Sequence, residues 1–153
     1  MKAELKWYLK IFFIAFPILI ALDVSWVGVI ANGFYKANVG DLFSATPNYY
    51  AALAFYVFYT IGLMYFALIP AFKEQSFVTA FIRAGALGFV GYMLYNTTNM
   101  AVLTHWSLLV TVVDTTWGIV LSSVTAGLTY ILAEKLYGIG NSTMPHSPEE
   151  GLI

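Results

Sequence analysis

Two aspartates lie inside segments that are otherwise apolar, and each is followed three residues later by a tryptophan. The two motifs are Asp23-Val-Ser-Trp26 and Asp114-Thr-Thr-Trp117. A carboxyl group in such surroundings can take up a proton, hold a cation or act as a general acid or base. The repeat suggests a paired arrangement of two helices that run in opposite directions, although the rest of the two halves does not align.

Structural hydrogen bonding between helices is the alternative role for this aspartate pair. An ionised carboxylate at mid-membrane costs about 2.5 to 3.5 kcal/mol, and no Lys or Arg lies in the same half of any apolar segment. We therefore expect this energetic cost to be reduced, either by protonation of at least one carboxyl or by neighbouring hydrogen-bond donors, water or a bound cation. A close pair of carboxyls would favour catalysis or ion handling, whereas separate partners would favour a structural role.

The composition shows what kind of molecule carries these motifs. Of the 153 residues, 60% are hydrophobic and 10% are charged, whereas about a quarter of the residues of soluble domains are charged. Apolar stretches at about 7–30, 49–72, 78–103 and 108–132 each have the length of a membrane span. A cleaved signal peptide is the alternative interpretation of the first stretch. We predict an all-α polytopic membrane protein, a four-transmembrane-helix bundle over residues 1–136 with a disordered cytoplasmic tail over 137–153.

The segments between the spans set the expected topology. Residues 32–46 are interpreted as a polar loop in which Thr46 caps a helix that begins at Pro47. Lys36 is the single basic residue on that side of the membrane, whereas six lie on the other side. By the positive-inside rule, both termini are expected in the cytoplasm. The six basic residues are Lys2, Lys6, Lys10, Lys73, Arg83 and Lys135.

Helical geometry brings further polar residues to the level of the aspartates. At 1.5 Å per residue, Asn96 and Asn99 fall within about 10 Å of that level. Tyr56 and Tyr59 reach a similar depth. On the fourth span, polar and small residues share an arc of about 80°, which predicts a face turned into the bundle. That stripe consists of Thr111, Asp114, Gly118, Ser122, Thr125 and Thr129.

We therefore predict a ligand-binding or proton-binding pocket in the outer half of the bundle. Its candidate residues are Asp23, Asp114, Asn96, Asn99, Tyr56, Tyr59, Trp26 and Trp117. Interhelical hydrogen bonding is the alternative for the asparagines, and interface anchoring or packing is the alternative for the aromatic residues.

Several classes of function are excluded by composition. Because there are no cysteines, disulfides, thiolate metal sites and iron–sulfur clusters are impossible. The net charge of −1 and the lack of a basic run argue against a nucleic-acid partner. No lysine lies in the middle of a span and neither histidine lies at mid-membrane, which excludes a retinal Schiff base and a bis-histidine haem. We expect no cofactor, no metal, a lipid bilayer around the chain and a lipid or small molecule as ligand, with oligomerisation left open.

A set of short motifs resembles a known family. The motifs are Leu22-Asp23-x-x-Trp26-x-Gly28, Phe34-Tyr35, Pro47-Asn48-Tyr49, Tyr56-x-x-Tyr59-x-x-Gly62, Tyr95-Asn96-x-Thr98-Asn99 and Asp114-x-x-Trp117-Gly118. Over about residues 8–136 the chain resembles domain-of-unknown-function family 2177, small bacterial inner-membrane proteins. The resemblance implies four spans in the bacterial inner membrane and implies no reaction. An Asp is common in that family where this chain has Asn96.

The favoured function is binding or transport of a small molecule or lipid around Asp23 and Asp114. One alternative is an intramembrane enzyme, an acid/base hydrolase or a lipid-modifying enzyme, with one aspartate as base and the other as acid. The layout is similar to that of the lipoprotein signal peptidases, but the motifs around their catalytic aspartates are not reproduced. A structural membrane subunit whose polar face meets a partner protein is the other alternative.

Overall fold

The computed structural model describes residues 2–42 and 46–138. In this part of the chain every regular element is helical. Four helical stretches are long and apolar enough to cross a membrane, and they comprise Glu4–Ile30, Tyr49–Glu74, Phe77–Val102 and Leu108–Tyr137. The predicted all-α fold with four spans is therefore confirmed. Of the predicted tail, residues 139–153 lie outside the described residues.

Two of the spans contain a π-helical turn. Helix α1 (Lys2–Ser25) is continued by the π-helical turn Trp26–Ile30, and α2 (Asn32–Val39) follows with a short 3-10 turn at Gly40–Leu42. Helix α3 (Tyr49–Leu63), the π-helical turn Met64–Leu68 and α4 (Ile69–Glu74) make the second span. Helices α5 (Phe77–Val102) and α6 (Leu108–Tyr137) are uninterrupted.

The polar loop predicted over residues 32–46 is wrong for most of its length, because residues 32–42 are helical. Tyr35 and Val39 lie one turn apart on α2 and are buried in a cluster with Ala31 and Val110. Burial of one apolar face stabilises a short helix that its own sequence would leave marginal. The packing places α2 against the first turn of α6, beside the aspartate level.

The predicted cap of the second span is also wrong. Asn48, rather than Thr46, precedes the first helical residue, and its Oδ1 accepts hydrogen bonds from the backbone amides of Tyr50 and Ala51, both at 3.1 Å. An asparagine oxygen at this position satisfies two amides that have no partner inside the helix. Helix α3 therefore begins two residues after Pro47.

Helices α5 and α6 make the closest approach in the bundle. A Cβ atom added at Gly88 would overlap the carbonyl oxygen of Gly118, so the two backbones are in direct contact. Ser123 of α6 donates to the carbonyl of Phe81 on α5 at 3.0 Å. All six members of the predicted polar stripe on α6 are buried, which confirms that this face turns into the bundle.

The outer surface of the bundle is apolar. Large side chains such as Phe13, Phe58, Ile82 and Leu94 are exposed. A continuous apolar surface of this kind is solvated by lipid tails rather than by water. With its four candidate spans, the chain is a membrane protein.

Candidate functional site

Asp114 is held by two donors that come from two other helices. The hydroxyl of Tyr35 on α2 donates to Oδ1 at 2.7 Å, and Nδ2 of Asn96 on α5 donates to Oδ2 at 2.7 Å. The aspartate is only 9% exposed. The sequence predicted Asn96 at this level, and the structure brings it into direct contact with the carboxyl.

A second contact supports the direction of each hydrogen bond. The Tyr35 hydroxyl donates to Asp114, and its oxygen accepts from the indole N–H of Trp26 at 3.3 Å, which occupies one of its acceptor sites. The Nδ2 of Asn96 also donates to the backbone carbonyl of Tyr92 at 2.9 Å, which fixes the orientation of the amide. Both neighbours therefore point hydrogens at the Asp114 carboxyl, and neither offers it an acceptor.

A raised pKa keeps the Tyr35 hydroxyl protonated. Burial is the largest cause that raises the pKa of Tyr35 above its ordinary value, and the hydrogen bond to Asp114 is the next largest. Tyr35 therefore remains protonated throughout the physiological pH range.

Asp23 has a separate pair of donors. The indole N–H of Trp117 donates to Oδ1 and the hydroxyl of Tyr56 donates to Oδ2, each at 3.0 Å. Asp23 is 8% exposed, so both aspartates point into the bundle as predicted. Each aspartate therefore has its own pair of donors, one on each carboxylate oxygen, which is the pattern expected of structural aspartates.

The tryptophans of the two repeated motifs connect the aspartates. The rings of Trp26 and Trp117 stack with their centroids 4.4 Å apart and an angle of 8° between the planes. Trp117 donates to Asp23 of the first motif, and Trp26 reaches Asp114 of the second motif through Tyr35. The paired arrangement suggested by the repeat is thus present as a reciprocal contact. A π-helical turn, a feature frequent at functional sites, begins at Trp26.

Tyr59 lies apart from both carboxyls. Its hydroxyl is 2.7 Å from the Oγ of Ser122, which itself donates to the carbonyl of Gly118 at 2.6 Å. Tyr59 therefore donates to Ser122 and ties α3 to α6. It supports the packing of the bundle and makes no hydrogen bond to Asp23 or Asp114.

A recess with a volume of about 320 Å³ opens beside Asp114. Among the predicted site residues, Asp114 and Asn99 line it. The other six predicted residues, Asp23, Asn96, Tyr56, Tyr59, Trp26 and Trp117, are not part of its wall. Its aromatic wall consists of Tyr35, Tyr95 and Trp106.

Three aromatic residues of the recess were not among the predicted site residues. Tyr35 belongs to the segment interpreted as a loop, and the Phe34-Tyr35 pair of the family motif was the signal that could have identified it. Trp106 lies in the connection before α6, where its indole N–H donates to the hydroxyl of Thr111 at 3.2 Å. Tyr95 and Trp106 meet edge to face, with centroids 5.8 Å apart.

Comparisons with known proteins identify the family. No curated protein and no solved structure matches the chain. A family model described as a predicted membrane protein matches residues 8–131, which include both aspartate motifs and Tyr35. The match covers most of the 153 residues. The chain therefore belongs to the DUF2177 family of predicted membrane proteins.

Proposed function

We propose that this membrane protein binds or transports a small molecule or a lipid, whose polar group occupies the recess beside Asp114. The observation that carries the proposal is the position of the Asp114 carboxyl at the recess, where its hydrogen-bond partners Tyr35 and Asn96 are neutral. A carboxylate at membrane depth is costly, and proteins retain such groups chiefly for ligands, ions or protons. The positively charged partner that Asp114 lacks is then supplied by the ligand.

The dimensions and lining of the recess support a small ligand. Its volume of about 320 Å³ falls at the lower end of the range of ligand pockets, about 300 to 1,000 Å³. Aromatic walls with a few convergent polar groups are typical of such pockets. Here Asp114 and Asn99 are the polar groups and Tyr95 and Trp106 form the aromatic walls.

Asp23 has a different role in this proposal. It ties α1 to α3 through Tyr56 and to α6 through Trp117. Its hydrogen bond also holds the Trp117 ring against Trp26. Asp23 therefore supports the side of the bundle on which Asp114 is presented, and the ligand contacts one aspartate rather than two.

The proposed location is the bacterial inner membrane with both termini in the cytoplasm. Six of the seven basic residues favour this orientation through the positive-inside rule. The recess, which lies at the end of the bundle that carries α2, would then open toward the external side.

Capture of ligands by matched variants tests the proposal. The purified protein in lipid nanodiscs is incubated with a bacterial metabolite extract and washed, and the retained molecules are identified by mass spectrometry. The matched control is Glu74→Gln, which removes a carboxylate that pairs with Arg83 at the opposite end of the bundle. We expect wild type and Glu74→Gln to retain a molecule that Asp114→Asn retains about tenfold less. Retention of the same molecules by all three proteins, or of none by wild type, would contradict the proposal.

A further inference from the structure

We infer that the ligand of the Asp114 recess carries an ammonium group, either as a free organic amine or as the amine headgroup of a lipid. This inference rests on the proposed function and names the chemical class of the ligand. Three properties of the recess carry it, namely its remaining hydrogen-bond capacity, its charge and its aromatic walls.

The Asp114 carboxylate can still accept further hydrogen bonds. Each carboxylate oxygen has about two acceptor sites, and the hydrogen bonds from Tyr35 and Asn96 take one site on each oxygen. Both amide hydrogens of Asn96 are used, on Asp114 and on the carbonyl of Tyr92, so Asn96 has no hydrogen left to donate to a ligand. A group that donates hydrogens complements this arrangement, and one that only accepts does not.

Two indole donors near Asp114 are already engaged. The indole N–H of Trp106 donates to Thr111, and that of Trp26 donates to Tyr35. Lys36, the basic residue at this end of the described chain, is exposed on α2. A carboxylate or phosphate ligand would therefore meet the negative charge of Asp114 with no cation in the recess to offset it.

The aromatic walls suit an alkylammonium group rather than a metal ion. The rings of Tyr95 and Trp106 both line the recess and meet edge to face, with an angle of 88° between their planes. Aromatic rings attract ammonium groups through their faces, and aromatic cages recognise methylated ammonium ligands in this way. Calcium needs six to eight oxygen ligands, and residues 2–42 and 46–138 contain no group of three or more His, Asp or Glu side chains that could hold a metal ion.

Binding of amines and of a neutral analogue tests the inference. The protein is placed in nanodiscs of phosphatidylglycerol, which lacks an amine, and titrated calorimetrically with ethanolamine, with choline and with the neutral choline analogue in which carbon replaces nitrogen. We expect saturable binding of at least one amine and at least about tenfold weaker binding of the neutral analogue. A second arm uses native mass spectrometry in nanodiscs that also contain phosphatidylethanolamine. Retention of that lipid without binding of the free amines would support the inference with the lipid as source.

Two variants assign the binding to the recess. Asp114→Asn should lower amine affinity about tenfold or more. Because this change also disturbs the hydrogen bonds of the carboxyl, Trp106→Leu serves as a second variant that removes an aromatic wall. Its matched control is Trp7→Leu, which alters a tryptophan packed against Phe72 in the larger core cluster. We expect Trp106→Leu to weaken amine binding and Trp7→Leu to leave it unchanged.

The outcomes separate the inference from the proposed function. Asp114-dependent binding of the neutral analogue, of acetate or of calcium with an affinity equal to that of the amines would overturn the inference and leave the proposed function intact. The same conclusion follows if the extract yields an Asp114-dependent ligand without an amine. If neither the extract, the free amines nor phosphatidylethanolamine yields any Asp114-dependent binding, both are overturned.

Discussion

Trp26 and Trp117 stack face to face, with ring centroids 4.4 Å apart, and join the π-helical turn after α1 to the first half of α6. Each ring also serves the aspartate of the other motif, Trp117 directly at Asp23 and Trp26 through Tyr35 at Asp114. The donor and acceptor of the Trp117 hydrogen bond are 94 positions apart in the chain. The site therefore forms only when the bundle closes.

Trp117→Phe tests the hydrogen bond within this pair. Phenylalanine keeps an aromatic ring against Trp26 but removes the N–H that Asp23 accepts. A buried acceptor that loses its donor costs about 1 to 3 kcal/mol of unfolding free energy. We expect a lower midpoint of thermal unfolding in detergent than for Trp7→Phe, in which the ring packs against Phe72. Equal midpoints for the two variants would show that the hydrogen bond contributes nothing.

Asparagine should be tolerated at Asp23. The amide oxygen of Asn can accept from Trp117, while its NH₂ donates to the hydroxyl oxygen of Tyr56, which accepts no hydrogen bond from another side chain in the described part of the chain. The change also removes a charge from the membrane. We expect Asp23→Asn to unfold within about 0.5 kcal/mol of wild type or to be more stable, as measured by thermal unfolding in detergent.

Asparagine should not be tolerated equally at Asp114. Tyr35 and Asn96 both direct hydrogens at the carboxyl; the Tyr35 oxygen already accepts from Trp26, and the Asn96 amide is oriented by the carbonyl of Tyr92. The NH₂ of the new asparagine must then face a donor, which costs about 1 to 3 kcal/mol. The same unfolding measurement should rank Asp114→Asn clearly below Asp23→Asn. The reverse order would mean that the directions assigned to these hydrogen bonds are wrong.

Gly88→Ala tests the contact between α5 and α6. The added methyl would overlap the Gly118 carbonyl and force the helices apart, at a cost of about 1 to 3 kcal/mol or more. Gly91 lies one turn along α5, and a Cβ there meets only Tyr59, at an ordinary 3.7 Å. Gly91→Ala should therefore keep the wild-type unfolding midpoint, or exceed it through better helix propensity. A Gly88→Ala protein as stable as Gly91→Ala would disprove the close approach.

Cysteine labelling tests the proposed orientation. The chain has no cysteine of its own, so single substitutions give an unambiguous signal. Lys36 and Lys73 are both exposed and lie at opposite ends of the bundle. In intact cells a membrane-impermeant maleimide should label Lys36→Cys, whereas Lys73→Cys should react only after the membrane is opened. The opposite pattern would put the Asp114 recess on the cytoplasmic side.

Hydropathy and helical period were sufficient to predict the four spans and the buried face of α6. Both depend on local sequence, since a span needs a run of apolar residues and a buried face needs a stripe at a period of 3.6. The depth of Asp23, Asp114 and Asn96 in the membrane also follows from the number of residues between each of them and the end of its span. The hydrogen bond between Asn96 and Asp114 confirms that these two residues lie at the same depth.

The partners of each aspartate could not be predicted in the same way. Depth and facing do not determine which neighbouring helix supplies a donor, so Tyr56 and Tyr59 looked equivalent although only Tyr56 reaches Asp23. Helix α2 was missed because its stability comes from burial of Tyr35 against α6 rather than from its own composition. The recess depends on α2 and was therefore out of reach of sequence patterns.

An experimental density map of the protein in a native-lipid nanodisc tests the role of Asp114 most directly. We predict density for a bound molecule in the recess, with a polar atom about 3 Å from an Asp114 carboxylate oxygen and its apolar part against Tyr95 and Trp106. A map in which a lipid tail or another side chain fills the recess, and no polar atom approaches Asp114 apart from Tyr35 and Asn96, would contradict the proposed function.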